Sequence, residues 1–234
     1  MIYNITNTTF GGAVRNGDLI AVCNIIQFLR SDCDLSGVQF HMQKGSISDS
    51  DYVQKFFHYL TQVTDYFSLE PGDKTLPWKK VNIWDYRDIC GDLVSIQNKQ
   101  ETQKKIVVFP VFDADYNVYR NWSNHVFNSI IDKYSKFNDY EKIVCLSPNV
   151  KVELNSDWKV SYDFMENIHH ITTSEYFVGG DTGTSHFAWS LDRGPKLEYV
   201  ISGRGLLHCL PFYLLQGKGT ITKYWLNFEG STFS

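Results

Sequence analysis

A chain of 234 residues can bury a substantial core in one domain or two small ones, and 43% apolar with 21% charged residues is a globular balance. The formal charge of −4, with no Lys/Arg-dense block, excludes a broad phosphate-tracking surface but leaves room for a single basic groove. The cysteines Cys23, Cys33, Cys90, Cys145 and Cys209 are scattered without C-x-x-C spacing, so neither a disulfide framework nor a zinc site is indicated.

The opening residues MIYNITNTTFGG lack the basic segment and long apolar run of a signal peptide. No apolar stretch of about 18 residues occurs either, so the expectation is a soluble, cytoplasmic protein with no transmembrane segment. Residues 2–5 form a strand candidate, followed by a loop over 6–17 that carries Gly11-Gly12 and Asn16-Gly17. Apolar residues from Leu19 to Leu29 then recur at helical spacing. A second strand is predicted at 38–42, a helix at 49–67, a loop at 70–80 and a third strand at 81–84. The polar run 95–105, with QNKQETQKK, has no apolar periodicity and marks a linker. It divides the chain into residues 1–100 and 101–234.

Past the linker the pattern restarts. It predicts strands at 106–109, 142–146, 176–178 and 197–201, with helices at 122–137, about 162–170, from Thr182, and near 205–215. Strands alternating with helices give parallel sheets with crossover helices. The fold class expected is α/β, with two Rossmann-like parallel-sheet domains facing a cleft.

Three stretches carry chemistry. In YFVGGDTGTSHFAWSLDRGP an apolar strand runs into Gly179-Gly180 and a helix begins within Asp181-Thr182-Gly183. Ligands of parallel α/β sheets bind at the carboxyl ends of strands, where helix N-termini present N–H groups, so a phosphate suits this junction. Thr182 and Ser185 supply hydroxyl donors, and Asp181 can cap the helix or accept from a sugar hydroxyl. A plain helix cap at Asp181 or Thr182 and a packed His186 explain the same residues individually. The stretch RNGDLIAVCNIIQFLR places Asp18 where the glycine loop of Gly11, Gly12 and Gly17 enters the first helix. A carboxylate there is positioned to take a proton from a hydroxyl nucleophile, or simply to cap the helix. In VYRNWSNHVFNSIIDKY, Arg120 precedes a helix, and its guanidinium suits a diphosphate or a solvated surface.

In this order the stretches resemble the heptosyltransferase-type glycosyltransferases, the ADP-heptose-using enzymes that transfer sugars in lipopolysaccharide core synthesis. That family carries Gly-Asp-Val/Leu at the first helix, Lys/Arg-x-Trp at the first helix of the second half, and Asp-Thr-Gly-x-x-His-x-Ala near the donor nucleotide. The matching residues are Gly17-Asp18-Leu19, Arg120-Asn121-Trp122 and Asp181-Thr182-Gly183-Thr184-Ser185-His186-Phe187-Ala188, with Gly194-Pro195 following. The resemblance implies a GT-B fold, shortened mostly in its N-terminal half, and transfer from a nucleotide-diphosphate sugar with inversion and without a catalytic metal or other cofactor. It carries over Asp18 as the general base and Arg120 as the diphosphate grip. Asp181, Thr182 and Gly183 would line the donor pocket, supported by Ser185 and His186.

Alternatives stay open. Asp113 and Asp115 after an apolar strand resemble the Asp-x-Asp metal motif of GT-A glycosyltransferases. A non-catalytic nucleotide-sugar-binding protein would keep the same pocket. The acceptor could be a glycan, a lipid core or a modified DNA base; the Asn-, Lys-, Ile-, Tyr- and Phe-rich composition suits an AT-rich genome such as that of a phage. His169-His170 is assigned a structural role, because neighbouring helix positions point apart. Trp78, Trp84 and Tyr86 could stack an acceptor ring or build core.

Overall fold

The computed structural model describes residues 1–6, 9, 12–32, 37–75, 95–112, 120–202 and 219–224. They belong to two compact units, Met1–Gln100 with His186–Gly194, and Glu101–Ser185 with Pro195–Ser234. The expected α/β class, with a parallel sheet in each half, is the fold observed. Among the described residues no helix is long and apolar enough to cross a membrane.

The first unit runs β1 (Ile2–Ile5), α1 (Asn16–Asp32), β2 (Gln39–Met42), α2 (Asp51–Val63) and β3 (Lys74–Thr75). β1 lies between β2 and β3, parallel to both. Helix α1 buries Leu19, Ile20, Val22, Cys23, Ile25, Ile26 and Leu29, a face wider than the usual amphipathic stripe. It begins at Asn16 rather than Leu19, so Gly17 is helical and not part of the loop. Helix α2 has the narrower pattern, with Val53, Phe56 and Leu60 buried. Phe56 and Tyr59 meet the ring of Phe187 edge-on, at 5.4 and 5.7 Å between centroids.

Helix α2 stops at Val63, short of the predicted 49–67, because the chain turns extended at Thr64 (φ −133°, ψ 162°). Phe67 instead forms a parallel bridge with Phe40 beside β2. Arg30 fastens this corner: Nε and Nη2 donate to the Val38 carbonyl at 3.0 and 2.6 Å, and Nη1 reaches Asp65 at 2.8 Å. Its guanidinium lies 4.9 Å from the centre of the Tyr66 ring. β3 falls inside the predicted loop 70–80. It is held where Asn4 donates to the Gly72 carbonyl at 2.6 Å and accepts from the Gly72 amide at 2.9 Å. The strand predicted at 81–84, and Trp78, Trp84 and Tyr86, lie outside the described residues.

The second unit contains β4 (Gln103–Phe109), α3 (Asn124–Ser135), β5 (Glu141–Cys145), β6 (Trp158–Ser161), α4 (Phe164–Thr173) and β7 (Ser174–Gly179). After these come α5 (Gly183–Ser190), β8 (Lys196–Ser202) and β9 (Gly219–Tyr224). The division between units falls within α5, between Ser185 and His186. The sheet order is β6-β5-β4-β7-β8-β9, with every pair parallel. Numbered within this sheet alone, that is 3-2-1-4-5-6, the order of the Rossmann dinucleotide-binding fold.

Helix α3 starts at a Ser123 cap, whose side chain accepts from the Val126 amide. It buries Val126, Phe127, Ile130, Ile131 and Tyr134 against Ile106, Val108, Val144, Val178 and Val200 of the strands. Helix α4 is capped by Asp163, which accepts from the Glu166 amide at 2.9 Å. α4 covers the other face, where the buried Lys105 ammonium meets the Thr173 hydroxyl at 2.8 Å. The predicted linker therefore ends early, since Gln103 already opens β4 and Ile96 bridges Leu191. β6 and β9 were not anticipated, and the helix predicted near 205–215 lies outside the described residues.

Candidate functional site

In a doubly wound sheet the ligand crevice opens outside the carboxyl ends of the two strands from which the chain departs in opposite directions. In the second unit those strands are β4 and β7, whose ends are level: Phe109 pairs with Gly179. Among the described residues the chain leaves β4 through 110–112 and enters α3 through 120–123, and it leaves β7 through Gly180–Thr182. Three of the sequence-predicted residues, Arg120, Asp181 and Thr182, are set on these two exits.

The exits are tied together. The Trp122 amide donates to the Val111 carbonyl at 2.6 Å, folding the β4 exit back on itself. Arg120 Nε lies 3.0 Å from Asp181 Oδ2, an ion pair whose angle falls short of a directed hydrogen bond, and Nη1 lies 3.3 Å from the Asp181 carbonyl. The side chains of Arg120 and Asp181 are 18% and 12% exposed, so the pair sits at the rim of the unit rather than free in solvent.

Glycines make the β7 exit possible. A Cβ on Gly180 would lie 2.9 Å from Val111 Cγ2 and 3.0 Å from Trp122 Nε1. A Cβ on Gly179 would lie 2.6 Å from Ser185 Oγ and 2.7 Å from the Phe177 ring. At Gly180 the backbone therefore passes directly over side chains of the neighbouring exit, and at Gly179 over side chains of its own segment. Trp122 is buried at 4% exposure, and its indole N–H, with no hydrogen-bond partner among the described residues, faces Gly180. The sequence carries Trp122 on the apolar face of a helix and in the Arg120-Asn121-Trp122 match, and neither reading gives it a contact with Gly180.

The hydroxyls of the motif form a chain. Ser185 Oγ donates to the Gly180 carbonyl at 2.6 Å, and the Thr182 amide donates to the same oxygen at 2.9 Å. Thr182 Oγ1 lies 2.8 Å from Thr184 Oγ1, 3.3 Å from Ser185 Oγ and 3.4 Å from the Ser185 amide. Thr182 thus stands at the cap position of α5, while the Asp181 carboxylate faces Arg120 instead of the helix. Gly183 is the first residue of α5, where backbone N–H groups lack intrahelical partners. His186 is buried at 8% exposure and groups with the first unit, whereas Ser185 groups with the second.

The remaining predicted residues are in the first unit. Asp18 is half-buried in the first turn of α1, which follows the carboxyl end of β1, the middle strand of the described sheet. Its Oδ2 accepts from the Arg15 amide at 2.9 Å, the backward contact of a capping box. Gly12 is exposed, and a Cβ there would meet nothing within 4 Å, so packing does not explain that glycine. Gly11, Asp113 and Asp115 lie outside the described residues.

A polar hollow of about 300 Å³, lined by Gln62, Thr64, Asp65, Tyr66, Ser95 and Gln97, opens at the carboxyl end of α2. α2 returns there toward the amino ends of the strands, since the Tyr66 carbonyl accepts from Phe40 at the start of β2. The hollow is therefore remote from Asp18, and it takes no part in the site. Among the described residues no three His, Cys, Asp or Glu side chains converge as a metal-binding group. His169 and His170 have ring centres 6.2 Å apart.

The second unit is thus a Rossmann-order sheet whose crevice strands end in an arginine–aspartate pair and a hydroxyl-lined helix start. No family model matches the chain, and no curated protein matches it in sequence. Among solved structures it is similar to E. coli heptosyltransferase WaaC with ADP, at a TM-score of 0.49 and 10% identity, over 95% of this chain and 91% of that one.

Proposed function

We propose that the protein is a glycosyltransferase that moves a sugar from a nucleotide-diphosphate sugar to an acceptor hydroxyl, with inversion and without a catalytic metal. The observation that carries this reading is the convergence of Arg120, Asp181 and the Thr182–Ser185 hydroxyls on the β4/β7 crevice of a Rossmann-order sheet. Such crevices take nucleotides, with phosphates at helix starts. The ordered likeness of Gly17-Asp18-Leu19, Arg120-Asn121-Trp122 and the 181–188 motif to heptosyltransferase-type enzymes supports the same assignment.

In this reaction the acceptor oxygen attacks the anomeric carbon on the face opposite the leaving group. Its proton passes to the Asp18 carboxylate, and the bond from the anomeric carbon to the β-phosphate oxygen breaks. The nucleoside diphosphate departs with the electron pair, and a fixed cation stabilises that charge best because it needs no reorganisation as the charge develops. Arg120 supplies the cation, with Thr182, Gly183 and Ser185 at the phosphates and His186 as a supporting residue of the same motif. A glycan, a lipid core or a modified DNA base would serve as acceptor. The net charge of −4 favours the first two.

The test is a transfer assay across nucleotide-sugar donors in the presence of EDTA, with donor affinity measured in parallel. Wild-type transfer with EDTA present, lost by at least 100-fold in Asp18→Asn while donor affinity stays within threefold, supports the assignment. Transfer abolished by EDTA contradicts metal independence. Donor binding without transfer or hydrolysis on any donor favours a binding protein.

A further inference from the structure

The cation of the crevice is already occupied. Arg120 holds two oxygens of one residue, the Asp181 carboxylate at 3.0 Å and the Asp181 carbonyl at 3.3 Å. Both side chains are more than four-fifths buried, so solvent screens the pair less than it would a surface pair. Asp181 is also held from its far side. The next residue, Thr182, is fixed by its amide on the Gly180 carbonyl and by its hydroxyl on Thr184. Gly180 in turn is packed against Val111 and Trp122 with no space for a methyl group. The backbone that carries the carboxylate is therefore held on its neighbours, whereas Arg120 reaches the carboxylate at the end of a long side chain.

An anion approaching Arg120 meets a neutralised site, and it must outbid a carboxylate. A carboxylate or a singly charged phosphate gains little by exchanging one monoanion for another. A diphosphate brings more charge and several acceptor oxygens, which a guanidinium binds in parallel. We propose that Asp181 is a resident counter-ion that a diphosphate displaces from Arg120, and that this exchange makes the crevice selective for diphosphates over monoanionic ligands. The inference rests on the reading of the crevice as a diphosphate site. It gives Asp181 a role as competitor and specificity determinant in place of a simple wall residue.

The experiment is calorimetric titration of the full chain with inorganic pyrophosphate and with inorganic phosphate. It compares wild type, Asp181→Asn, Arg120→Gln and the double variant, each first checked for a cooperative thermal unfolding transition. Asp181→Asn tightens pyrophosphate about tenfold and phosphate by more, narrowing the preference, and Arg120→Gln weakens pyrophosphate at least tenfold. The gain from Asp181→Asn shrinks toward unity in the Arg120→Gln background, since no pair is left to release. An equal gain in both backgrounds means general repulsion and overturns the exchange, as does no gain in the single variant. If Arg120→Gln weakens binding and Asp181→Asn does not tighten it, the exchange fails while the diphosphate site stands. If no variant binds pyrophosphate or any nucleoside diphosphate, both fall.

A second readout needs no folded variant of Asp181. In ¹⁵N-labelled wild type, the Arg120 Nε–H resonance, assigned by its loss in Arg120→Gln, moves on saturation with pyrophosphate. A resonance that stays in place overturns the proposal.

Discussion

Gly180 is the residue on which the crevice geometry turns. With Val111 Cγ2 at 2.9 Å and Trp122 Nε1 at 3.0 Å from the position of a Cβ, a methyl group has no room unless the β4 exit moves. Overpacking of this kind costs about 1–3 kcal/mol. Gly180→Ala is expected to lower Tm by roughly 2–12 °C in a chain of this size and to weaken pyrophosphate binding, because the same shift carries Arg120 away. Differential scanning calorimetry alongside the titration checks both; an alanine variant with unchanged Tm and affinity contradicts the packing. At this scale the residue types of the β7 exit were legible. The run Gly179–Ser185 announced its glycines and hydroxyls, and the helix predicted from Thr182 starts one residue later, at Gly183. Which residue caps that helix was not legible, since Asp181 and Thr182 are both good caps. The choice is made by Arg120, sixty-one positions earlier, which draws the Asp181 side chain away from the helix. Asp18 likewise shows its capping contact with Arg15, which a sequence reading weighs equally with a catalytic carboxylate.

Elements with a strong apolar period were readable and those without one were not. The face of α3 at Val126, Phe127, Ile130, Ile131 and Tyr134 repeats at helical spacing and meets a sheet of Ile and Val. β6 has only four residues, Trp158–Ser161, with burial at its two ends, so it carries no alternation to detect. The first residues of β4 were hidden by lysine. Lys105 reads as linker, yet it is buried because Thr173 accepts from its ammonium and Glu141 lies 3.8 Å away. That ammonium also acts on α4. Burial of the His170 ring, with Lys105 next in importance, holds its pKa below the usual histidine value, against the opposing pull of Glu166 and Glu141; His169 adds to the lowering. The folded state therefore favours neutral His170. Its contribution is complete above the unfolded value of about 6.5 and is lost as pH falls through the lowered folded value, where the unfolded chain takes the proton first. Thermal unfolding followed from pH 8 to pH 5 is expected to show a steeper loss of Tm in wild type than in His170→Gln. Parallel curves would contradict it.

At the scale of the molecule, the alternation of strands and helices was sufficient to predict parallel sheets, and the restart of the pattern near residue 101 anticipated a second one. The sequence could not supply strand order, because each crossover packs equally well onto either neighbour until the whole sheet is assembled. Nor could it show that His186–Gly194 groups with the first unit, since α5 reads as one uninterrupted helix across the division. The order β6-β5-β4-β7-β8-β9 gives the glycine-rich motif its meaning, because it puts β4 and β7 side by side with their exits diverging. Without that adjacency Arg120 and Asp181 would be an ordinary arginine and an ordinary cap.

Ligand-induced stabilisation of the full chain tests most directly whether the crevice binds the diphosphate of a nucleotide sugar through Arg120. A ligand selective for the native state at about 100 times its Kd adds about 2.7 kcal/mol. In a chain of this size that raises Tm by roughly 5–10 °C. Such a rise is expected with at least one nucleoside diphosphate in wild type, together with its loss in Arg120→Gln. No rise with any nucleoside diphosphate, or an undiminished rise in Arg120→Gln, would contradict it.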